Sequence, residues 1–173
     1  MSSKADPVNA DSATRQPIDT SLFRRTCAHF ATGITVVTTL DLHGHPHGMT
    51  VNSFSSVSLE PPLVLVSIDL RNAILGHFIS TSWFAINVLG EHQEHLSRRF
   101  SSASENRFVD VDWRRGMAGT PLLDGVLAQL ECSVVKTFEG GDHTILIGEV
   151  RRAAYREGKP LIYFDSAYRT LAE

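Results

Sequence analysis

Cysteine is scarce in this chain: there are two, Cys27 and Cys132, far apart and in no C-x-x-C pair. That count excludes a disulfide scaffold, and the spacing gives no support to a thioredoxin-like or zinc-ribbon reading. Both thiols are expected to be buried, where free cysteine usually lies. No apolar stretch is long enough to span a membrane and the N-terminus carries no apolar signal-peptide core, so a cytoplasmic protein without a membrane partner is expected. An excess of positive charge is missing too. Lys plus Arg number 16 against 19 Asp plus Glu, a net charge of −3, and no basic run can track phosphates, so nucleic acid is not an expected partner. G-x-G-x-x-G, Walker A, G-x-S-x-G and H-E-x-x-H are all absent, which moves several enzyme classes out of the front rank. Nicotinamide use survives these absences, because a site that holds a dinucleotide transiently does not need the Rossmann loop.

What is present is an ordinary globular composition: 173 residues, 42% hydrophobic and 20% charged, enough for one domain with its own core. Residues 1–17 are polar and aperiodic, an expected flexible tail, leaving 18–173 as the folded domain. Asp19 or Thr20 can cap a helix whose Leu22, Phe23, Cys27 and Phe30 recur at helical spacing. Gly33 is read as its end, and its apolar stripe should lie on something apolar. β-Branched and alternating runs predict strands at 34–39, 48–54, 63–68, 84–88, 128–138, 144–152 and 161–164. Short helices are predicted near 72–79 and 91–100, and 116–119 reads as loop. Many short strands joined by tight turns give a mainly β fold, an antiparallel β-barrel with short peripheral helices, since closure removes sheet edges. A βαβ crossover near 63–88 is the alternative, in a doubly wound sheet, but no Gly-rich fingerprint precedes its helix.

Three segments can carry chemistry. In 48–62, hydroxyls and an amide crowd one strand and the bend after it, so donors and backbone N–H groups can converge on a phosphate or a heteroaromatic rim. The competing reading is a solvent-facing strand with a Ser-rich turn in which Pro61 and Pro62 stop the pairing. In 67–72, Arg71 beside a helix start makes an anion site, or else Asp69 or Asn72 caps and Arg71 is solvated. In 139–143, Gly-Gly permits a tight turn in which Asp142 orients His143 or merely completes the turn. His43, His45 and His47 alternate around a turn with no evident carboxylate pairing, and no metal is expected there. His92 and His95 share a charged helix face that reads as solvated.

In this order and spacing, the segments resemble the short-chain flavin reductases, the reductase components of two-component flavin-dependent monooxygenases. The resemblance runs from about Leu22 to Leu171. It rests on 32–39, the 48–62 segment, Ala85-Ile86-Asn87-Val88-Leu89, Phe100, Leu130-Glu131-Cys132, Gly141-Asp142-His143 with Ile147-Gly148-Glu149-Val150, and Pro160-Leu161-Ile162-Tyr163 followed by Tyr168. It implies an antiparallel Greek-key split β-barrel working as a homodimer, with FMN or FAD near the subunit interface and NADH (or NADPH) as hydride donor. A partner monooxygenase would receive the reduced flavin. By the same resemblance Thr50, Val51, Asn52 and Ser53 line the flavin ring. Ser55, Ser56, Ser67, Arg71 and Asn72 serve its ribityl and phosphate end, and His143 and Tyr168 lie toward the nicotinamide. A non-catalytic flavin-binding protein on the same barrel is the alternative function, and a heme- or pyridoxal-type binder on a related barrel is a third.

Overall fold

The computed structural model describes residues 17–104 and 106–171. Apart from Pro17, the expected flexible tail therefore lies outside the described residues. Along the chain run helix α1 (Thr20–Ala28), strands β1 (Thr32–Gly33), β2 (Thr35–Leu40), β3 (Pro46–Val51), β4 (Ser55–Leu59) and β5 (Pro62–Asp69), helix α2 (Leu75–Thr81) and strand β6 (Trp83–Val88). A 3-10 turn (Glu91–Gln93) leads into helix α3 (Glu94–Ser101), followed by β7 (Trp113–Arg115), β8 (Pro121–Leu123), the long hairpin β9 (Ala128–Gly140) and β10 (His143–Tyr155), and β11 (Ile162–Phe164) and β12 (Ala167–Arg169).

Seven strands form one antiparallel sheet in the order β3-β2-β6-β9-β10-β5-β4. Its two edge strands are consecutive in sequence, joined only by Asn52, Ser53 and Phe54. A flat sheet would set those edges about 29 Å apart, six spacings of about 4.8 Å. The chain from Val51 to Ser55 reaches about 14 Å at most. The sheet is therefore rolled until its edges approach, but β3 pairs only with β2 and β4 only with β5. The roll stays open along that seam.

Alternation along the strands divides the packing into two cores. Val37, Val51, Val66, Ile68, Phe84, Ile86 and Leu146 face the inside of the roll with Ile74, Leu75 and Phe78 brought by α2. Gly148 sits among them because an added Cβ would lie 2.4 Å from the Phe84 ring. The opposite faces of β2 and β6 are covered by Leu96 and Phe100 of α3, Leu123, Val126 and Leu161. Asn87 ties this cover to the sheet: its side-chain amide donates to the Val36 carbonyl at 3.1 Å and accepts the Leu123 N–H at 2.9 Å. Among the described residues no such layer covers the outer face of β5 and β10. There Leu63, Leu65, Ile145 and Ile147 stay half-buried as cross-strand neighbours while the residues between them are buried.

Several expectations are corrected here. Helix α1 starts at its Asp19 cap, whose side chain accepts the Ser21 N–H, but it ends at Ala28, and Gly33 belongs to β1. Among the described residues nothing buries its apolar stripe: no residue of α1 is buried, and Leu22, Phe23 and Phe30 are exposed. Cys27 rides on that helix and is exposed, so only Cys132 is a buried thiol, its pKa pushed up to about 12 by burial and the Glu131 charge. Residues Pro61 and Pro62 do not stop the pairing, because Pro62 opens β5 opposite Leu59. The Ser-rich stretch after β3 is itself a strand, β4, and 117–119 is a 3-10 turn between β7 and β8. Among the described residues no helix is long and apolar enough to cross a membrane.

Candidate functional site

Beside the seam, β3 turns its open edge to a slot of about 240 Å³. Thr50, Val51 and Asn52 form one wall, Ser97 and Ser101 of α3 another, and Tyr163 and Tyr168 of the β11–β12 hairpin a third, with Ile34 at the base. The hairpin places the two tyrosines by pairing Tyr163 directly opposite Tyr168, their rings edge to face at 5.5 Å. The Tyr168 hydroxyl and the Ser97 hydroxyl lie 2.9 Å apart, and the Arg98 guanidinium rests 4.8 Å over the Tyr168 ring. Thr50 is already committed, its hydroxyl donating to the Ser97 carbonyl at 2.7 Å. The polar groups β3 has left to offer are therefore backbone ones, since an edge strand alternates N–H and C=O toward its unpaired side. These fit the rim of a flat heteroaromatic ring better than they fit a metal ion. Among the described residues no three His, Cys, Asp or Glu side chains are grouped to hold a metal.

The remaining candidates divide into two groups. Ser55, Ser67 and His143 share the outer face of β4, β5 and β10, with Ser55 opposite Leu65 and His143 opposite Asp69. His143 is half-buried, and its Nδ1 lies 2.7 Å from an Asp142 carboxylate oxygen. That contact fixes the proton on Nδ1 and leaves Nε2 free, and it holds the Asp142 carboxyl below its ordinary range. Ser53 stands between the groups, bridging the seam to Ser67. Ser56 faces the other way, opposite Val64 at the exposed edge.

At the end of β5, Arg71 closes on Asp69, with Nη2 2.7 Å and Nε 3.1 Å from its two carboxylate oxygens, which keeps Asp69 strongly acidic. Asn72 accepts the Ile74 N–H at 3.1 Å, so its side chain caps the turn into α2. Asn72 thus takes the capping role offered for it, whereas Arg71, though exposed, is ion-paired with Asp69 rather than merely solvated. Neither lines the slot, and neither do Ser53, Ser55, Ser56, Ser67 and His143. The sequence reading missed Ser97, Ser101 and Tyr163 as lining residues; only the complete burial of Ser97 on an amphipathic helix marks it as unusual. The histidine turn is built on a carboxylate after all. Asp41 accepts the His43 and His45 N–H groups at 2.8 and 2.9 Å and lies 3.0 Å from His45 Nδ1 and 3.5 Å from His47 Nε2.

Residues 27–172 match the family model of the flavin reductase like domain. The chain belongs to the flavin reductase family. The FMN reductase (NADH) of Agrobacterium fabrum is 45% identical over 146 residues, covering 84% of this chain and 83% of that protein. The reductase subunit of a flavin-dependent monooxygenase from Rhodococcus jostii is 36% identical over 154 residues, 88% of this chain and 78% of its own. Among solved structures, the NADH:FAD oxidoreductase of Streptomyces globisporus in complex with NAD and FAD fragments superposes with a TM-score of 0.86 at 39% identity, covering 91% of this chain and 95% of that one. The flavin reductase fold and its mainly β, antiparallel character are thus shared over nearly the whole described chain.

Proposed function

We propose that this protein is a cytoplasmic NADH-dependent flavin reductase that reduces FMN or FAD and supplies it to a separate monooxygenase, with residues 18–173 as one catalytic domain. The observation that carries the reading is the open edge of β3 facing a slot walled by two tyrosines, in a chain of this family. When bound there, a flavin supplies the chemistry: its ring accepts a hydride and becomes anionic. The protein's share is positioning. Backbone N–H groups of residues 50–53 hold the ring rim and favour the added negative charge, as preorganised donors do at any developing anion. Tyr168, pinned by Ser97 and Arg98, sets the far wall and limits water. His143, with Nδ1 held by Asp142, presents Nε2 to the carboxamide of the nicotinamide, and two flat rings at near-attack distance need little more. Ser55, Ser67, Arg71 and Asn72 take the ribityl and phosphate end, with Ser56 at its margin.

A homodimer accounts for the surface left bare. Leu63, Leu65, Ile145 and Ile147 form an apolar outer face that no element of the described residues covers, and a second copy laid on it would bring His143 to the seam between subunits. Anaerobic mixing of the purified protein with NADH and FMN or FAD tests the function. Rapid bleaching of the flavin absorbance is expected, whereas tight flavin binding without bleaching by NADH or NADPH would leave a flavin-binding protein and remove the reductase.

A further inference from the structure

Helix α1 is amphipathic, and among the described residues nothing covers its apolar side. Leu22, Phe23 and Cys27 fall on one side of its turns and Arg24 and Arg25 on the other, yet Leu22, Phe23 and Cys27 are all exposed, as are Ile18 before the helix and Phe30 after it. A helix of nine residues is too short to persist in water by itself, so the stripe needs a surface. The molecule carries one. Leu63, Leu65, Ile145 and Ile147 lack a covering layer on the outer face of β5 and β10, and the exposed Phe138, opposite Ile145, extends that face. A helix laid on a sheet is the ordinary way in which both bury their apolar sides.

The two surfaces do not meet within one chain, because the end of α1 is tied elsewhere. The Asp165 N–H donates to the Ala28 carbonyl at 2.8 Å, the His29 ring stands edge-on to Phe164 at 6.0 Å, and Thr32 pairs with Tyr163. These contacts fix α1 to the β11–β12 hairpin, whose tyrosines pack with the layer over β2 and β6. In the sheet order β9 separates β6 from β10. Area points the same way. Four half-buried side chains fall well short of about 800 Å² per partner, the area a stable interface buries, so a second copy resting on the sheet face alone would be held weakly. The α1 stripe supplies further apolar area, and two-fold symmetry lets each copy give one helix and receive one, leaving neither surface open.

We infer that α1 is an exchanged arm: its Leu22–Phe23 stripe lies on the β5–β10 face of a second copy of this chain, and its seating braces the β11–β12 hairpin that walls the slot. The inference rests on the homodimer of the proposed function and adds what seats on that face and what the seating does to the flavin site. Sedimentation velocity over a dilution series compares the full-length natural chain with Leu22→Asp and Phe23→Asp on the arm and Leu65→Asp on the face. The dimer dissociation constant is expected to rise at least about tenfold in all three, as for a charge placed in an apolar contact. Flavin binding, read by fluorescence quenching, should weaken about threefold in the arm variants as the hairpin loses its brace. In the natural chain Cys27 should react with N-ethylmaleimide more slowly in the dimer than in dilute monomer, while the buried Cys132 stays unreactive in both. Arm variants that dimerise like the natural chain, with Leu65→Asp monomeric, overturn the arm and leave the homodimer standing. A natural chain that is monomeric at every concentration removes both. Protection of Cys27 that does not change with concentration places the cover within one chain and overturns the exchange, and loss of the dimer with flavin binding intact overturns the brace. If a variant fails to fold by circular dichroism, the Cys27 rates of the natural chain decide.

Discussion

The Ser53 hydroxyl both accepts the Ser67 N–H and donates to the Ser67 carbonyl, each at 3.0 Å. One side chain thereby takes the place of a strand residue on the free edge of β5 just past the last β4 pair, Ser55 with Leu65. It joins the β3 side of the seam to the β5 side with two bonds. Ser53→Ala should cost about 1–3 kcal/mol, because two backbone groups lose their partner at a half-buried position. Urea unfolding measures the loss, and Ser53→Ala should also raise the KM for flavin. A stability unchanged within about 0.3 kcal/mol would mean that water replaces the hydroxyl at no cost.

The proposed function puts His143 on the nicotinamide side. His143→Ala should raise the KM for NADH about tenfold while the flavin dissociation constant moves less than about twofold, the size of one lost charge-assisted or neutral hydrogen bond. Asp142→Asn should act in the same direction more weakly, since Asp142 orients the ring without meeting the substrate. Equal losses for NADH and flavin would mark the Gly141-Asp142-His143 turn as purely structural.

Tyr168→Phe removes the hydroxyl contact with Ser97 and keeps the ring, and Tyr168→Ala removes the wall. The first should change kcat/KM by about threefold and the second by more than about tenfold, the difference reporting how much of the residue's value lies in its flat face. If both variants lose the same amount, the Ser97 contact carries the whole effect.

Sequence periodicity located the sheet well where strands are long and half-buried: β2, β5, β6, β9 and β10 all fall on predicted runs, as does α3. It failed on strands whose partners, more than their own residues, make them strands. β4 carries only Val57 and Leu59 as apolar residues and contains a register shift between Ser56 and Ser58, so its alternation is broken. β7, β8 and β12 are each three residues long, too short for any period to show. In the candidate site, the residues of the β3 wall were legible only as polar residues on a strand, and the resemblance gave them a role. Ser53 could not be read as a seam bridge, nor His77 as the ring stacked on His47, because those relations exist only after the sheet has rolled.

His47 offers a pH test. Burial, with His77 stacked on it, lowers its pKa from 6.5, against weaker opposing help from Asp41. Protonation is thus easier in the unfolded chain, so its contribution to stability is full above about pH 6.5 and is lost as pH falls through the lowered folded value. The Tm should drop between about pH 7.5 and 5.5, and His47→Gln should make that drop smaller. An identical pH profile in the variant would show that other groups carry the acid sensitivity.

The seam between β3 and β4 has a cost that catalysis alone does not reveal. A fully closed barrel exposes no unpaired backbone, whereas here the groups offered to a ligand are the same ones that a strand from another chain can pair with. An occupant of the slot therefore shields the protein against edge-to-edge aggregation, and stocks kept without flavin are the ones expected to lose solubility first.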